Sequence, residues 1–183
     1  AMAAILKLDD ESVQAACAEA AQGETVQAVN FNAPGQVVIA GHKAAVARAM
    51  EACKAKGAKR ALALPVSAPF HSSLMQPAAE RLRDYLERIE IAPPAVPLIN
   101  NVDVRTPREP GAIKDALVRQ AASPVRWVET IQCMAQNGVT HVIECGPGKI
   151  LAGLVKRIAP DLQGIALSDR AALEQALDTL KEG

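Results

Sequence analysis

The order of the first six elements constrains this chain most. Met2–Leu6 is a short apolar strand, and Asp9 or Asp10 can cap a helix running to about Ala21, with Val13, Ala16, Cys17 and Ala20 on one face. Val26–Phe31 and Gln36–Ala40 read as two strands joined by Asn32-Ala33-Pro34-Gly35. Proline then glycine at the centre is what a type II turn demands, because only the second central residue needs positive φ. Lys43–Lys56 predicts a second helix with Val46, Ala49, Met50 and Cys53 inward and Gly57 as its left-handed stop. Lys59–Leu64 closes as a fourth strand. A βαββαβ order is the split-βαβ, ferredoxin-like arrangement, so residues 1–64 are expected to form a small subdomain of that kind.

Beyond Pro65 the pattern changes to strands alternating with helices. Ser67-Ala68-Pro69-Phe70-His71 is a proline-interrupted loop, followed by a helix over about Ser73–Ile89 whose apolar stripe is Leu74, Ala78, Leu82, Tyr85, Leu86 and Ile89. An extended segment, Ala95–Asn100, lies among Pro93, Pro94 and Pro97, and a helix covers roughly Gly111–Gln120. Pro124 predicts the start of another, reaching Gln136. Val139–Cys145 reads as a buried strand, Gly146-Pro147-Gly148 as a turn, Ile150–Ile158 as a helix, Gly164–Leu167 as a strand and Ala171 onward as a last helix. Residues 65–183 are therefore expected to contribute parallel strands to an α/β core.

Composition narrows the function. At 183 residues the chain has room for one sizeable core and needs no disulfide staples. Lys+Arg and Asp+Glu both number 20, and this balance argues against nucleic acid or an anionic membrane as partner. Aromatic residues make up only 2%, too few for a base-stacking platform. Cys17, Cys53, Cys133 and Cys145 form no C-x-x-C pair and no zinc-finger spacing, which points to a reducing, cytoplasmic compartment and no metal. No apolar run approaches the roughly 20 residues of a membrane helix. The opening Ala-Met-Ala-Ala-Ile-Leu lacks a basic leader and does not begin with methionine, so a start further upstream is expected.

His71 is the first candidate for chemistry, since an imidazole at the end of a loop titrates where proton transfer is useful. The plainer account is a loop histidine making one backbone hydrogen bond. His42, just before a helix, reads as a surface or capping residue, and His141, inside a strand, as a packed one. Glu144-Cys145-Gly146-Pro147-Gly148-Lys149 offers main-chain N–H groups to an anion, but tight-turn geometry alone accounts for its glycines. It lacks the phosphate-loop spacing, and Cys145 lacks the nucleophile-elbow pattern around it. None of the six serines (Ser12, Ser67, Ser72, Ser73, Ser123, Ser168) lies in G-x-S-x-G.

A series of blocks carries more. Asn30-Phe31-Asn32-Ala33-Pro34-Gly35-Gln36-Val37-Val38-Ile39-Ala40-Gly41, Ser67-Ala68-Pro69-Phe70-His71-Ser72, Asn100-Asn101-Val102-Asp103, Leu117-Val118-Arg119-Gln120, Pro124-Val125-Arg126-Trp127 and Glu144-Cys145-Gly146-Pro147-Gly148-Lys149 follow one another in order. In this the chain closely resembles the malonyl-CoA:acyl carrier protein transacylases of bacterial fatty-acid synthesis, and the acyltransferase domains of polyketide synthases share the blocks.

The resemblance implies an α/β-hydrolase-like core and a ping-pong transfer. A serine in a G-H-S-x-G elbow takes malonyl from coenzyme A and passes it to the phosphopantetheine thiol of acyl carrier protein. No cofactor is implied; malonyl-CoA and the carrier are the partners, and the family is usually monomeric. His71 matches the general base, and Gln120 the residue whose main-chain carbonyl orients it. Asn30 and Asn32 match the loop bordering the acyl pocket, and Phe70 the bulky residue that favours malonyl over α-methylated units. Lys59, Arg60, Lys156 and Arg157 match basic positions around the entrance, where carrier docking and ordinary solvated charge are equal alternatives. The elbow serine, the arginine for the malonyl carboxylate and the oxyanion hole belong to the part preceding residue 1, so these residues alone are expected to be inactive. A non-catalytic module binding an acyl group or carrier protein is the main alternative, and a hydrolase using Cys145 a third.

Overall fold

The apolar strand at the start, β1 (Met2–Leu6), lies at the centre of a four-stranded sheet in the computed structural model, which describes residues 1–181. Helix α1 (Asp10–Ala21) follows, its first turn capped by Asp9, whose carboxylate accepts from the Ser12 N–H at 2.8 Å. Strands β2 (Val26–Ala33) and β3 (Gln36–Gly41) form a hairpin around Pro34 and Gly35. Gly35 sits at φ +69, as the Pro-Gly reading requires. Helix α2 (Lys43–Ala55) ends at Gly57, φ +104, and β4 (Arg60–Ala63) completes the sheet. All pairings are antiparallel, in the spatial order β2-β3-β1-β4.

One face of this sheet packs on the two helices. Ala3, Ile5, Val37 and Ile39 meet Val13, Ala16 and Cys17 of α1 and Val46, Ala49 and Cys53 of α2. Small residues on the helices let the layers approach closely. The last turn of α1 has no basic residue of its own, and Arg48 of α2 supplies one: Nε bonds Ala20 O at 2.8 Å and Nη2 bonds Ala21 O at 3.0 Å. Gly41 is required for space rather than for φ, since a Cβ there would lie 2.0 Å from the Thr25 carbonyl oxygen. The other face holds a smaller cluster of Met2, Val29, Val38 and Ala40.

Two features of β2 position the site. It is an edge strand, and its register slips between Ala28 and Asn30, a bulge at Val29. Its open edge is covered by Val125, whose N–H donates to Val29 O at 2.8 Å and whose carbonyl accepts from the Phe31 N–H at 3.0 Å. This corrects the helix expected from Pro124. Residues 124–126 are extended, because pairing with β2 uses the backbone that a helix would need, and α5 spans Trp127–Gln136.

Between these lie a single 3₁₀ turn (Ser73–Met75), α3 (Gln76–Glu87) and α4 (Pro110–Ala121). The inward face of α3 is Ala79, Leu82 and Leu86, packed with Ile89, two residues beyond its end, and with Val118 and Ala121. Tyr85 and Ala78, expected in that stripe, are exposed. The stripe that packs inward is narrow, with Ala79, Leu82 and Leu86 at spacings of three and four, and Ala78 and Tyr85, each one residue before a member of it, fall on its solvent side.

Contacts divide the chain into two compact units, 1–130 and 131–183. Residue 64 lies inside the first. In the second, β5 (His141–Cys145) and β6 (Gln163–Leu167) pair in parallel, joined by the crossover helix α6 (Ile150–Ile158) and followed by α7 (Arg170–Lys181). A Cβ on Gly164 would lie 2.4 Å from the Ala152 carbonyl oxygen, so glycine permits the close approach of α6 and β6. Strand β5 is half-exposed rather than buried, because it is paired on one edge only among the described residues.

Candidate active site

His71 has a left-handed backbone, φ +63, a conformation costly for a residue with a side chain, on the order of 1–3 kcal/mol. Its neighbours hold it there. The Ser72 hydroxyl, buried, donates to Pro69 O at 2.6 Å, and the Ser72 carbonyl accepts from the Met75 N–H at 2.9 Å. The ring then reaches α4: Nδ1 lies 2.9 Å from the main-chain carbonyl oxygen of Gln120. A carbonyl only accepts, so the neutral imidazole carries its proton on Nδ1 and keeps the Nε2 lone pair for a substrate or nucleophile. The Gln120 side chain is engaged elsewhere, with Nε2 donating to Ser123 O at 3.2 Å and Pro124 O at 3.3 Å.

Asn30 and Asn32 lie on β2, half-buried, with Asn30 at the bulge beside Val125. Phe70 immediately precedes His71 and is exposed. Gln120 also lines a cavity of about 190 Å³ with Leu98, Asn100, Ile113 and Leu117. Lys59 and Arg60 are exposed at the start of β4, while Lys156 and Arg157 are exposed in the last turn of α6, where positive charge also suits the helix dipole. The chain therefore brings His71 and Gln120 into direct contact and carries its four basic candidates in two different units.

The Asn100-Asn101-Val102-Asp103 block builds a support whose partners the sequence did not disclose. Asn100 Oδ1 accepts from the Asp103 N–H at 3.0 Å, and Asn101 Nδ2 donates to the buried Thr130 hydroxyl at 3.0 Å. Arg119, next to Gln120, donates to Asp103 at 2.9 Å and to Asp115 at 2.6 Å. Burial pushes the Asp103 carboxyl up, but hydrogen bonds from Arg119 and Asn100 outweigh it and hold the group below the usual carboxylate range. The only hint in the sequence was the helical i,i+4 spacing of Asp115 and Arg119.

Residues 1–166 match the family model of the acyl transferase domain. The chain belongs to the acyl transferase domain family. It is 56% identical over 178 residues to the malonyl CoA-acyl carrier protein transacylase of Escherichia coli (strain K12), covering 97% of this chain and 58% of that protein. It is 46% identical over 183 residues to the protein of the same name from Bacillus subtilis (strain 168), covering 100% and 58%. The crystal structure of an acyl-carrier-protein S-malonyltransferase from Burkholderia pseudomallei 1710b superposes at a TM-score of 0.95 with 61% identity, over 97% of this chain and 58% of that one. A type II PKS acyl-carrier protein in complex with its malonyl-transacylase matches at a TM-score of 0.96 and 53% identity, again over 97% and 58%. The chain thus spans somewhat over half the length of the relatives it matches.

Elsewhere in this acyl transferase chain several other candidates make local contacts. The carboxylate of Glu144, at the end of β5, reaches past the glycine-rich turn to the first turn of α6, where it accepts from the Ala152 N–H at 2.8 Å. Cys145 is exposed. Cys17 is buried, and loss of solvent with Cys53 nearby pushes its thiol up to about 12, so it is inert. His42 Nδ1 accepts from the Thr25 N–H at 2.9 Å, and His141 Nδ1 lies 2.9 Å from the Thr140 hydroxyl. Among the described residues no three His, Cys, Asp or Glu side chains cluster to hold a metal, and no helix is long and apolar enough to cross a membrane.

Proposed function

We propose that this chain carries the general-base portion of a malonyl-CoA:acyl carrier protein transacylase. The observation behind this reading is the 2.9 Å contact between His71 Nδ1 and the Gln120 carbonyl, which leaves Nε2 available as a base. In the proposed reaction a serine hydroxyl attacks the malonyl thioester carbonyl while Nε2 of His71 takes the hydroxyl proton. The C–S bond breaks, the coenzyme A sulfur leaves with that proton, and malonyl remains as a serine ester. The phosphopantetheine thiol of the carrier then attacks the ester, His71 taking the thiol proton and returning it to the serine oxygen. The carbonyl of Gln120 steadies the imidazolium in both halves, as a carboxylate does in a full triad.

Asn30 and Asn32 border the acyl pocket in this reading, and the Phe70 ring excludes an α-methyl group. Lys59, Arg60, Lys156 and Arg157 steer the acidic carrier. Reversing the charge of Lys156 and Arg157 should raise KM for the carrier and spare that for malonyl-CoA; equal effects on both would discard the docking role. The reaction needs no cofactor, and we place the protein in the cytoplasm as a monomer. The antiparallel order β2-β3-β1-β4 with two helices on one face supports a ferredoxin-like subdomain over residues 1–64. Residues 65–183 would then be the C-terminal part of an α/β-hydrolase-like core.

No serine of the 183 residues lies in a nucleophile-elbow sequence, so these residues alone should transfer nothing. Mass spectrometry after incubation with malonyl-CoA tests the whole reading. One malonylated serine is expected on the protein at the full length of its relatives, and none on the 183-residue chain. An adduct on the latter would make a local serine or Cys145 the nucleophile and overturn the mechanism.

A further inference from the structure

The loop carrying His71 is tied to β2 by a residue that no motif singles out. Ser73 opens the 3₁₀ turn two residues after His71, and its N–H has no acceptor within that first turn. It donates to Oε1 of Gln27 at 2.8 Å, from 46 residues earlier in the chain. Across His71 itself the loop closes on itself, Ser72 bonding back to Pro69. The left-handed residue is thus held between a local knot and a bond to the sheet.

The partner of the imidazole is referenced to the same strand. Val29 and Phe31 of β2 hold Val125 through two main-chain hydrogen bonds, and the Gln120 amide bonds the carbonyl of the preceding residue, Pro124. Strand β2 therefore sets the place of the His71 loop through Gln27 and that of the Gln120 segment through Val125. We propose that Gln27 is a positioning residue for His71, keeping the imidazole in register with the Gln120 carbonyl by holding the Ser73 N–H. The role rests on His71 acting as the base of the proposed transfer. Gln27 is exposed and its bond replaces one to water, so its effect is on the loop's geometry more than on global stability.

The test uses the protein at the full length of its relatives. Gln27→Met keeps the length of the side chain and removes the acceptor; Gln27→Glu keeps an acceptor oxygen. Q27M should lower kcat for malonyl transfer roughly ten-fold with KM for malonyl-CoA nearly unchanged, since misplacement of a base acts on the chemical step. The imidazole Nδ1–H resonance in nitrogen-15 NMR should broaden in Q27M, and Q27E should restore both readouts. A Q27M protein with normal kcat and a normal Nδ1–H signal overturns the proposal, as does a Q27E protein impaired like Q27M. His71→Ala runs alongside. Full transfer by that variant would reject His71 as the base, while the Nδ1–H signal of Q27M would still decide whether Gln27 positions the ring.

Discussion

Gln120 meets His71 through its main chain, with the carbonyl oxygen 2.9 Å from Nδ1, while its own side-chain amide bonds Ser123 and Pro124. Any residue at position 120 brings that carbonyl. Gln120→Ala should therefore lower kcat for malonyl transfer less than about ten-fold, by loosening the 123–124 segment, whereas His71→Ala removes the base and should cost roughly 10²–10⁴. Single-turnover kinetics on the full-length protein separates the two. Equal losses would mean that the Gln120 side chain, not its carbonyl, does the work.

The left-handed φ of +63 at His71 makes a second, independent prediction. Both His71→Ala and His71→Gly lose the hydrogen bond to Gln120, but only alanine keeps a Cβ against the backbone. The glycine variant should be more stable than the alanine variant by about 1 kcal/mol. Urea denaturation of the pair measures the difference directly. The reverse order would show that the loop relaxes out of this conformation when the imidazole is removed.

The local chemistry of residues 1–64 was legible because it is self-contained. The cap at Asp9, the stop at Gly57 and the turn glycine at Gly35 each act within a few residues, and Val13, Ala16, Cys17 and Ala20 repeat at helical spacing on a buried face. What the sequence hid depends on partners far along the chain. Residues 124–126 are extended because β2 offers an open edge, and the bulge at Val29 that shapes this edge has no local signature. Tyr85 is exposed because the stripe packed on α4 is narrow and passes through Leu82 and Leu86, and nothing in the spacing sets its width. His71 stood out by type and loop position, but its pairing with a carbonyl 49 residues away was implied only by the family resemblance. Gln27 carried no signal at all, since one exposed glutamine on a strand looks like any other.

Glu144 has a testable structural role at the start of α6. Its carboxylate caps the Ala152 N–H at 2.8 Å, where a negative charge also favours the start of α6. Glu144→Ala should destabilise the protein by about 1 kcal/mol, in the range of other lost helix caps, and Glu144→Gln by less, because an amide oxygen still accepts. Thermal or urea unfolding of the two variants checks the order. Identical stability in wild type and Glu144→Ala would reject that role.

Acid unfolding should report the tie between Asp103 and Arg119. The Asp103 carboxyl is held below its usual range in the folded chain, against about 3.9 when unfolded. Above that unfolded value the group is ionised in both states, and its contribution to stability is fully present. As pH falls from there through the lowered folded value, the unfolded chain binds the proton first, so the contribution is lost. Arg119 and Asp103 are both partly solvated, which keeps the effect below about 1 kcal/mol. Asp103→Asn should therefore flatten the fall in stability as pH drops below about 4, relative to wild type. It should also lower stability slightly at pH 7, where the ion pair is intact in the parent. Glu129, held below its usual range by its hydrogen bond from Arg126, is present in both proteins and cancels from the difference. Parallel acid slopes for the variant and wild type would show that Arg119 is held by Asp115 alone.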